Sequence, residues 1–306
     1  MAHVLVTRAL PSTALERLGE RHTVEVWEQE LPPTPDELRE RAAGADGLLA
    51  MVTERVDAAL LDAAPGLRVI ANYAVGTDNI DLEVCAARGV AVGVTPDALT
   101  DATADLAFAL ILAAARNLVA GHEAVREGRW RTWEPQGWLG HDVHGATLAL
   151  IGPGRIGEAV ARRAAGFDME ILRVGRGDDL HAALRRADVI SIHCPLTPQT
   201  RHLIDAEALR HVKATAVLVN TARGAIVDQV ALAAALREGR LAGAGLDVTD
   251  PEPLPPDDPL LETPNLLVLP HVGSATHTAR ARMAELTVDN LLAGLEGREL
   301  PHPAKH

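Results

Sequence analysis

The chain has 306 residues, of which 47% are hydrophobic and 23% charged, and its formal net charge is −13 at pH 7. This length is typical of two packed domains, and the composition excludes a globally disordered chain. The acidic balance gives no general attraction for nucleic acid or anionic membranes, so we expect neither as a partner. Cys85 and Cys194 provide neither a disulfide framework nor the ligand spacing of a zinc site.

The sequence contains no run of the roughly 18 apolar residues that a membrane helix needs. The N-terminal stretch MAHVLVTRAL lacks the basic segment and the cleavage site of a signal peptide, and it is typical of a strand. We therefore expect a soluble, cytoplasmic protein.

Short apolar runs alternate with helical patterns through the first hundred residues. Helices are predicted over 11–19, with Ser12 as the N-cap, and over 36–43. Nearly continuous apolar strands that alternate with helices are typical of a parallel sheet covered on both faces, so we expect an α/β domain. The predicted strands are 3–7, 24–28, 47–52, 67–73 and 90–95.

A long apolar helix, ATADLAFALILAAARNL, follows Thr100, and we expect it to be buried. A second alternating series comes next, and a final helix over about 275–295 would pack back on the first domain. We therefore predict two doubly wound parallel-sheet domains, one formed by 1–98 with 276–306 and the other, inserted into it, by 99–275. The predicted strands of the inserted domain are 146–152, 169–175, 189–195, 216–222, 243–248 and 266–271.

The segment GPGRIG at 152–157 follows a predicted strand and opens a predicted helix. Glycines at these spacings allow a tight turn, close approach of a pyrophosphate, and close packing of helix on strand. The helix N-terminus adds free N–H groups and the positive end of a dipole, although Pro153 removes one donor. The alternative, a glycine turn used for packing alone, is disfavoured by this context. We assign to the dinucleotide site Gly152, Gly154, Arg155, Ile156 and Gly157.

The end of the next strand normally sets the choice between NAD and NADP, because an acidic residue there binds the ribose 2′-hydroxyl. Here the strand ends in Val174-Gly175-Arg176, with no carboxylate before Asp178. Because an arginine can bind a 2′-phosphate, Arg176 favours NADP(H), with NAD(H) as the second candidate. The alternative is that Arg176 is a solvated loop residue.

An arginine, a carboxylate and a histidine follow three predicted strands of the second series, at the ends where ligands of α/β sheets bind. Arg223 is suited to pair with a substrate carboxylate and to polarise a keto oxygen. His271 is suited to give that oxygen a proton, and Glu252 beside it would keep the imidazolium available. Each residue alone has a structural interpretation, whereas the three together predict hydride transfer to a 2-oxo acid.

The chain resembles the D-isomer-specific 2-hydroxyacid dehydrogenases over essentially its full length. The stretches that carry the resemblance are NYAVGTDNIDL (72–82), GPGRIG (152–157), CPLTPQTRHLI (194–204), NTARGAIVD (220–228), GLDVTDPEPLP (245–255) and LPHVGSAT (269–276).

This resemblance implies two Rossmann-like domains with the cleft between them, and a homodimer formed through the nucleotide-binding domain. It implies the roles argued above for Arg223, Glu252 and His271. It also implies that the backbone of Val75 and Gly76 contacts the substrate carboxylate. Further cofactor contacts are implied at Thr103, Pro195, Thr221, Ala222 and Asp247.

Within the family, the chain is most similar to glyoxylate/hydroxypyruvate reductases, through 94–107, 130–140 and 271–280. Only seven residues are aromatic, yet three tryptophans lie within 130–138. In such reductases a tryptophan of this loop reaches the neighbouring subunit's active site, and by position we expect Trp138 to do so. A dimer contact is the alternative. Ser274 is a candidate ligand of hydroxypyruvate, or else a helix N-cap.

The resemblance leaves three alternatives open. The protein could instead be a D-lactate or a D-3-phosphoglycerate dehydrogenase, or an NAD(H)-sensing scaffold like the related corepressors. One departure from the family is the segment between Arg176 and Asp188, which has only eleven residues and predicts a trimmed adenine side. We predict no metal, because the prolines of 250–259 indicate a rigid loop beside Glu252.

Overall fold

The computed structural model describes residues 1–305, which form two compact units. One unit is Met1–Leu99 together with the segment that begins at Ala275, and the other is Thr100–Ser274. Each unit contains a wholly parallel sheet flanked by helices, which confirms the predicted fold class.

The elements are numbered along the chain. The strands are β1 (His3–Val6), β2 (Thr23–Val26), β3 (Gly47–Ala50), β4 (Val69–Asn72), β5 (Ala91–Gly93), β6 (Thr147–Ile151), β7 (Glu170–Val174), β8 (Val189–Ile192), β9 (Val217–Asn220), β10 (Gly243–Leu246) and β11 (Leu266–Val268). The α-helices are α1 (Ala14–Gly19), α2 (Pro35–Ala42), α3 (Ala58–Ala63), α4 (Leu82–Ala87), α5 (Thr100–Ala115), α6 (Leu118–Arg126), α7 (Arg155–Ala164), α8 (Leu180–Arg186), α9 (Gln229–Arg237) and α10 (His277–Leu295).

The first unit is a five-stranded sheet in the order β2-β1-β3-β4-β5. Its central strands β3 and β4 are buried along their whole length, as expected for a sheet covered on both faces. Helix α10 packs against α1, β3, β4 and β5. The buried Asn290 side chain donates to the Val94 carbonyl and accepts from the His302 N–H, which fastens the C-terminal segment to this sheet.

The second unit is a six-stranded sheet in the order β11-β10-β9-β8-β6-β7. After β6 the chain passes to β7 on one side and then to β8 on the other. The direction of winding therefore reverses at β6, and ligands of such sheets bind at the carboxyl ends of the strands beside this point. Helix α5 packs against α7 and three strands, which explains its apolar composition.

Three helix starts show how local hydrogen bonds select the cap. Helix α2 begins after Thr34, which forms a reciprocal capping box with Glu37. The prediction of Ser12 as a cap was wrong, because α1 begins after Thr13 and the Ser12 hydroxyl accepts from the Ala14 N–H instead. The cap of α10 is Thr276, whose hydroxyl accepts from Ala279.

Within residues 1–305, no helix on its own has both the length and the apolar composition to cross a membrane. Helices α5 and α6 pass that test only as a pair bent by 64°. Buried core helices pass the same test.

Candidate active site

The glycine turn at the end of β6 matches the geometry expected of a dinucleotide site. Gly152 has a φ of +86°, and a Cβ there would lie 2.5 Å from the backbone nitrogen of Cys194, which follows β8. A Cβ at Gly157 would lie 2.9 Å from the Gly152 carbonyl, so α7 packs closely on the turn. A Cβ at Gly154 would meet nothing within 4 Å, which leaves the open face that a pyrophosphate requires.

The N-terminus of α7 offers a restricted set of donors. Pro153 has no N–H, and the Gly154 N–H donates to the Gly152 carbonyl at 2.8 Å. Arg155 and Ile156 open the helix, where backbone N–H groups have no intrahelical acceptor. A phosphate at this turn would therefore be held by these two N–H groups and by the dipole of α7.

The end of β9 has a second feature that fits a dinucleotide. The Thr221 hydroxyl is buried and has no hydrogen-bond partner within residues 1–305. Buried polar groups are normally hydrogen-bonded. This hydroxyl lies at the same edge of the sheet as the glycine turn, so it fits a site that receives a polar ligand. The neighbouring Ala222 N–H donates to the Asn220 side chain, which fixes the backbone here. The residues present therefore fit a dinucleotide.

His271 lies in a loop that the side chain of Asp247 holds in place. His271 has a φ of +54°, a left-handed conformation that is uncommon for a residue with a side chain. Its N–H donates to the Asp247 carbonyl, and the two oxygens of the Asp247 carboxylate accept from Val272 and Gly273, each at 2.7 Å. Thr103, the predicted contact on α5, donates its hydroxyl to the Gly273 carbonyl.

The carboxylate of Asp247 is almost fully buried, with 1% of the residue exposed. Burial raises the pKa of Asp247, whereas the two backbone N–H groups act in the opposite direction by stabilising the anion. Both carboxylate oxygens of Asp247 thus bind the turn that carries His271.

Glu252 and His271 form a hydrogen-bonded pair. The Glu252 carboxylate accepts from Nδ1 of His271, so Nε2 is the nitrogen left for a ligand. Both side chains are partly exposed, by 36% and 30% respectively, as residues that line an accessible site must be. The pairing orients the imidazole and fixes which of its two nitrogens faces a ligand.

Arg223 is positioned by the backbone that follows β9. It precedes a short 3₁₀ helix, and its Nη1 donates to the Ala222 carbonyl at 2.8 Å. Gly224 packs so closely on the segment before Glu252 that a Cβ would overlap the Thr249 carbonyl carbon. The structure therefore brings Arg223 and Glu252 onto adjoining segments, while Glu252 contacts His271 directly.

The remaining predicted residues lie on other elements. Val75 and Gly76 are in the first unit, in the loop after β4, where the Gly76 carbonyl accepts from Asn72. Trp138 lies in the loop after α6, with a φ of +47° and 39% of its surface exposed. Ser274 follows the His271 loop. The interpretation of Ser274 as a helix cap was wrong, because Thr276 caps α10.

His193 was missed by sequence reasoning. It directly follows β8, its Nε2 bonds to the Ser191 hydroxyl at 2.8 Å, and its ring lies 3.7 Å from where a Cβ at Gly157 would stand. Burial lowers its pKa to about 4, so the ring is neutral at neutral pH. The adjacent Cys194 is also uncharged, since burial raises its thiol pKa to about 11. Pro195, a predicted cofactor contact, comes next and is exposed.

Residues 1–305 contain no group of three or more His, Cys, Asp or Glu side chains arranged to hold a metal ion.

Comparisons with known proteins agree with this geometry. Residues 108–273 match the family model of the D-isomer specific 2-hydroxyacid dehydrogenase NAD binding domain. A glyoxylate reductase of Korarchaeum cryptofilum is 47% identical, over 97% of this chain and 94% of its own. A crystal structure of a Thermus thermophilus protein is 52% identical, with a TM-score of 0.94 over 99% of this chain and 100% of that chain.

A third relative carries a nucleotide. It is an NADPH-dependent glyoxylate/hydroxypyruvate reductase of Sinorhizobium meliloti, solved in complex with NADP and malonate. It is 34% identical to this chain, with a TM-score of 0.86, and the similarity covers 99% of this chain and 96% of that one.

Proposed function

The chain belongs to the D-isomer specific 2-hydroxyacid dehydrogenase family, a family of NAD(P)-dependent oxidoreductases, and we propose that it reduces glyoxylate and hydroxypyruvate to glycolate and D-glycerate with NADPH as the preferred coenzyme. The observation that carries the proposal is the hydrogen bond between Glu252 and His271, on a sheet whose glycine turn fits a dinucleotide. The similarity to a glyoxylate reductase and to an NADPH-dependent glyoxylate/hydroxypyruvate reductase supports the choice of substrates.

His271 is the proton donor in this proposal. The hydrogen bond of the Glu252 carboxylate to Nδ1 orients the imidazole and leaves Nε2 to give a proton to the substrate's keto oxygen. Asp247 keeps the loop of His271 in its left-handed turn, so the imidazole is placed before substrate arrives.

Arg223 binds the substrate carboxylate and polarises the keto group, because a guanidinium offers paired donors to a carboxylate and stabilises charge on the oxygen. By family resemblance the backbone of Val75 and Gly76 shares the carboxylate. Ser274 is the proposed partner of the hydroxyl group that distinguishes hydroxypyruvate from glyoxylate. A bound nicotinamide supplies the hydride to C2 of the substrate.

The coenzyme site comprises the glycine turn, the N-terminus of α7 and the ends of the neighbouring strands. Arg176 is exposed at the end of β7 and is the proposed partner of the 2′-phosphate of NADPH. The other proposed contacts are Gly152, Gly154, Arg155, Ile156, Gly157, Thr103, Pro195, Thr221, Ala222 and Asp247.

We also propose a homodimer formed through the nucleotide-binding domain. The exposed fractions of Trp130, Trp133 and Leu139 are 58%, 79% and 69%, and they lie within ten residues of one another together with Trp138. Large exposed apolar side chains in one segment are typical of an interface. If this segment forms the interface, Trp133→Ser should shift the protein towards a monomer in light scattering. An unchanged mass would show that the segment is not part of the interface.

The proposed reaction is tested by mixing purified protein with glyoxylate or hydroxypyruvate and following the loss of NADPH and NADH absorbance in parallel. Rapid NADPH loss with both acids is the expected result. His271→Asn should reduce kcat by about 10²- to 10⁴-fold, the usual contribution of a proton donor, while retaining nucleotide binding. Oxidation of D-lactate or 3-phosphoglycerate with NAD(P)⁺, by an enzyme that reduces neither glyoxylate nor hydroxypyruvate, would overturn the substrate assignment. Nucleotide binding without turnover of any 2-oxo acid would favour a sensing scaffold.

A further inference from the structure

The loop after β7 folds an acidic side chain back onto the end of the strand. Residues 175–178 form a turn in which the Asp178 N–H approaches the Gly175 carbonyl at 3.4 Å and Gly177 has a φ of +91°. The Asp178 Oδ2 accepts from the Gly175 N–H at 2.8 Å. In sequence Asp178 lies three residues after Gly175, the first residue beyond β7. Its carboxylate nevertheless lies at Gly175, because it accepts the Gly175 N–H.

This strand end is bonded to the glycine turn. The Gly152 N–H donates to the Val174 carbonyl at 2.9 Å, and Val174 immediately precedes the residue that holds the Asp178 carboxylate. An acidic group at this place in a Rossmann unit accepts a hydrogen bond from the ribose 2′-hydroxyl. Its ionised form repels a 2′-phosphate. The bond to Gly175 uses only Oδ2, and Asp178 is exposed, so its other oxygen, Oδ1, is accessible as an acceptor.

The shortness of this loop fixes two opposite charges in one turn. Helix α8 begins at Leu180, so Arg176 and Asp178 both lie between the end of β7 and that helix. The Asp179 carboxylate has a structural role, because it caps α8 by accepting from the Ala182 N–H at 2.9 Å. Within residues 175–179, Asp178 is therefore the one that combines a carboxylate at the strand end with an oxygen that the turn does not use.

We propose that Asp178 is a second determinant of coenzyme choice, which accepts the ribose 2′-hydroxyl of NAD(H) and opposes the attraction of Arg176 for the 2′-phosphate of NADP(H). The inference rests on the proposed function in its use of these nucleotides. The wild-type enzyme therefore accepts both coenzymes, and Asp178 reduces its preference for NADPH.

The test separates nucleotide choice from turnover. Dissociation constants of 2′,5′-ADP and 5′-AMP are measured by calorimetry for the wild type, Asp178→Asn, Asp179→Asn and Arg176→Gln. Asn at 178 keeps an oxygen for the Gly175 N–H but removes the charge. It should tighten 2′,5′-ADP relative to 5′-AMP by about three- to fivefold, the effect of removing one exposed like charge.

Two comparisons identify the cause of the shift. Asp179→Asn removes the same charge one residue away and leaves a good helix cap, so its ratio should stay within about twofold of the wild type. Arg176→Gln should change the ratio in the opposite direction. Near 1 M salt, where the Debye length is about 3 Å, the effect of Asp178→Asn should shrink.

The proposal is overturned if Asp178→Asn and Asp179→Asn change the ratio equally, or if Asp178→Asn weakens both nucleotides alike. These measurements need no substrate. If Asp178→Asn shifts the ratio of the two dissociation constants but the enzyme does not reduce glyoxylate, the proposed function is rejected and this inference stands. If the enzyme reduces glyoxylate normally but the ratio does not shift, this inference is rejected and the proposed function stands.

Discussion

Acidification should destabilise the second unit through His193. Because burial lowers the native pKa of His193 to about 4, the folded protein holds a neutral ring over a range in which the unfolded chain, with a pKa of 6.5, is protonated. A depressed native pKa contributes stability that is present above 6.5 and is lost as the pH falls towards 4.

The size of this loss follows from the two pKa values. At about pH 5 the unfolded chain binds the proton roughly thirty times more often than not, while the native ring is mostly unprotonated, so the lost stability is about 2 kcal/mol. The residue is partly exposed, which makes this an upper value. His193→Gln removes the titrating group and retains a polar side chain near the Ser191 hydroxyl.

Urea unfolding of wild type and His193→Gln is measured at about pH 7.5 and about pH 5, with circular dichroism as the signal. The two proteins share all other titrating groups. Between about pH 7.5 and about pH 5, the free energy of unfolding of the wild type should therefore fall by up to about 2 kcal/mol more than that of His193→Gln. A titration of the histidine ring by NMR gives an independent check. Equal losses in the two proteins, or a His193 resonance that titrates near 6.5, would refute the reasoning.

Three further substitutions probe the site and the fold. Gly224→Ala should destabilise the protein by about 1–3 kcal/mol in urea unfolding and lower kcat, because its Cβ would overlap the Thr249 carbonyl; unchanged stability would contradict the packing. Asp247→Asn should lower kcat about tenfold or more by removing one acceptor from the His271 turn, a loss that unaltered kinetics would disprove. Thr34→Ala should cost about 1 kcal/mol of unfolding free energy through the lost capping box and leave kcat unchanged, whereas a fall in kcat would connect α2 to catalysis.

Apolar patterning was sufficient to predict all eleven strands, but it placed their carboxyl ends too late. The run over 189–195 continued beyond the end of β8 at Ile192, because Cys194 is buried beneath the glycine turn although it is not in a strand. In a parallel sheet the chain stays buried after the strand where loops form a ligand crevice. Apolar residues therefore continue beyond the strand into the loop that lines the crevice, so an apolar run overestimates the length of the strand.

Helix caps and side-chain positions depend on hydrogen bonds that spacing does not reveal. Ser12 and Thr13 are adjacent, and sequence cannot distinguish which of them precedes the first helical turn. The pairing of Glu252 with His271 could be expected, since both follow the ends of neighbouring strands. The return of Asp178 to the end of β7 could not, because it depends on the turn made by Gly177.

The first unit is discontinuous along the chain, and this has a consequence for synthesis. Strands β1 to β5 leave the ribosome first, but α10, which covers β3, β4 and β5, is translated only after all of Thr100–Ser274. Until then the apolar face that α10 covers is exposed in the nascent chain, where such surfaces attract chaperones or aggregate. A premature stop codon shortly before α10 would therefore disable the N-terminal sheet, although every one of its strands had been translated.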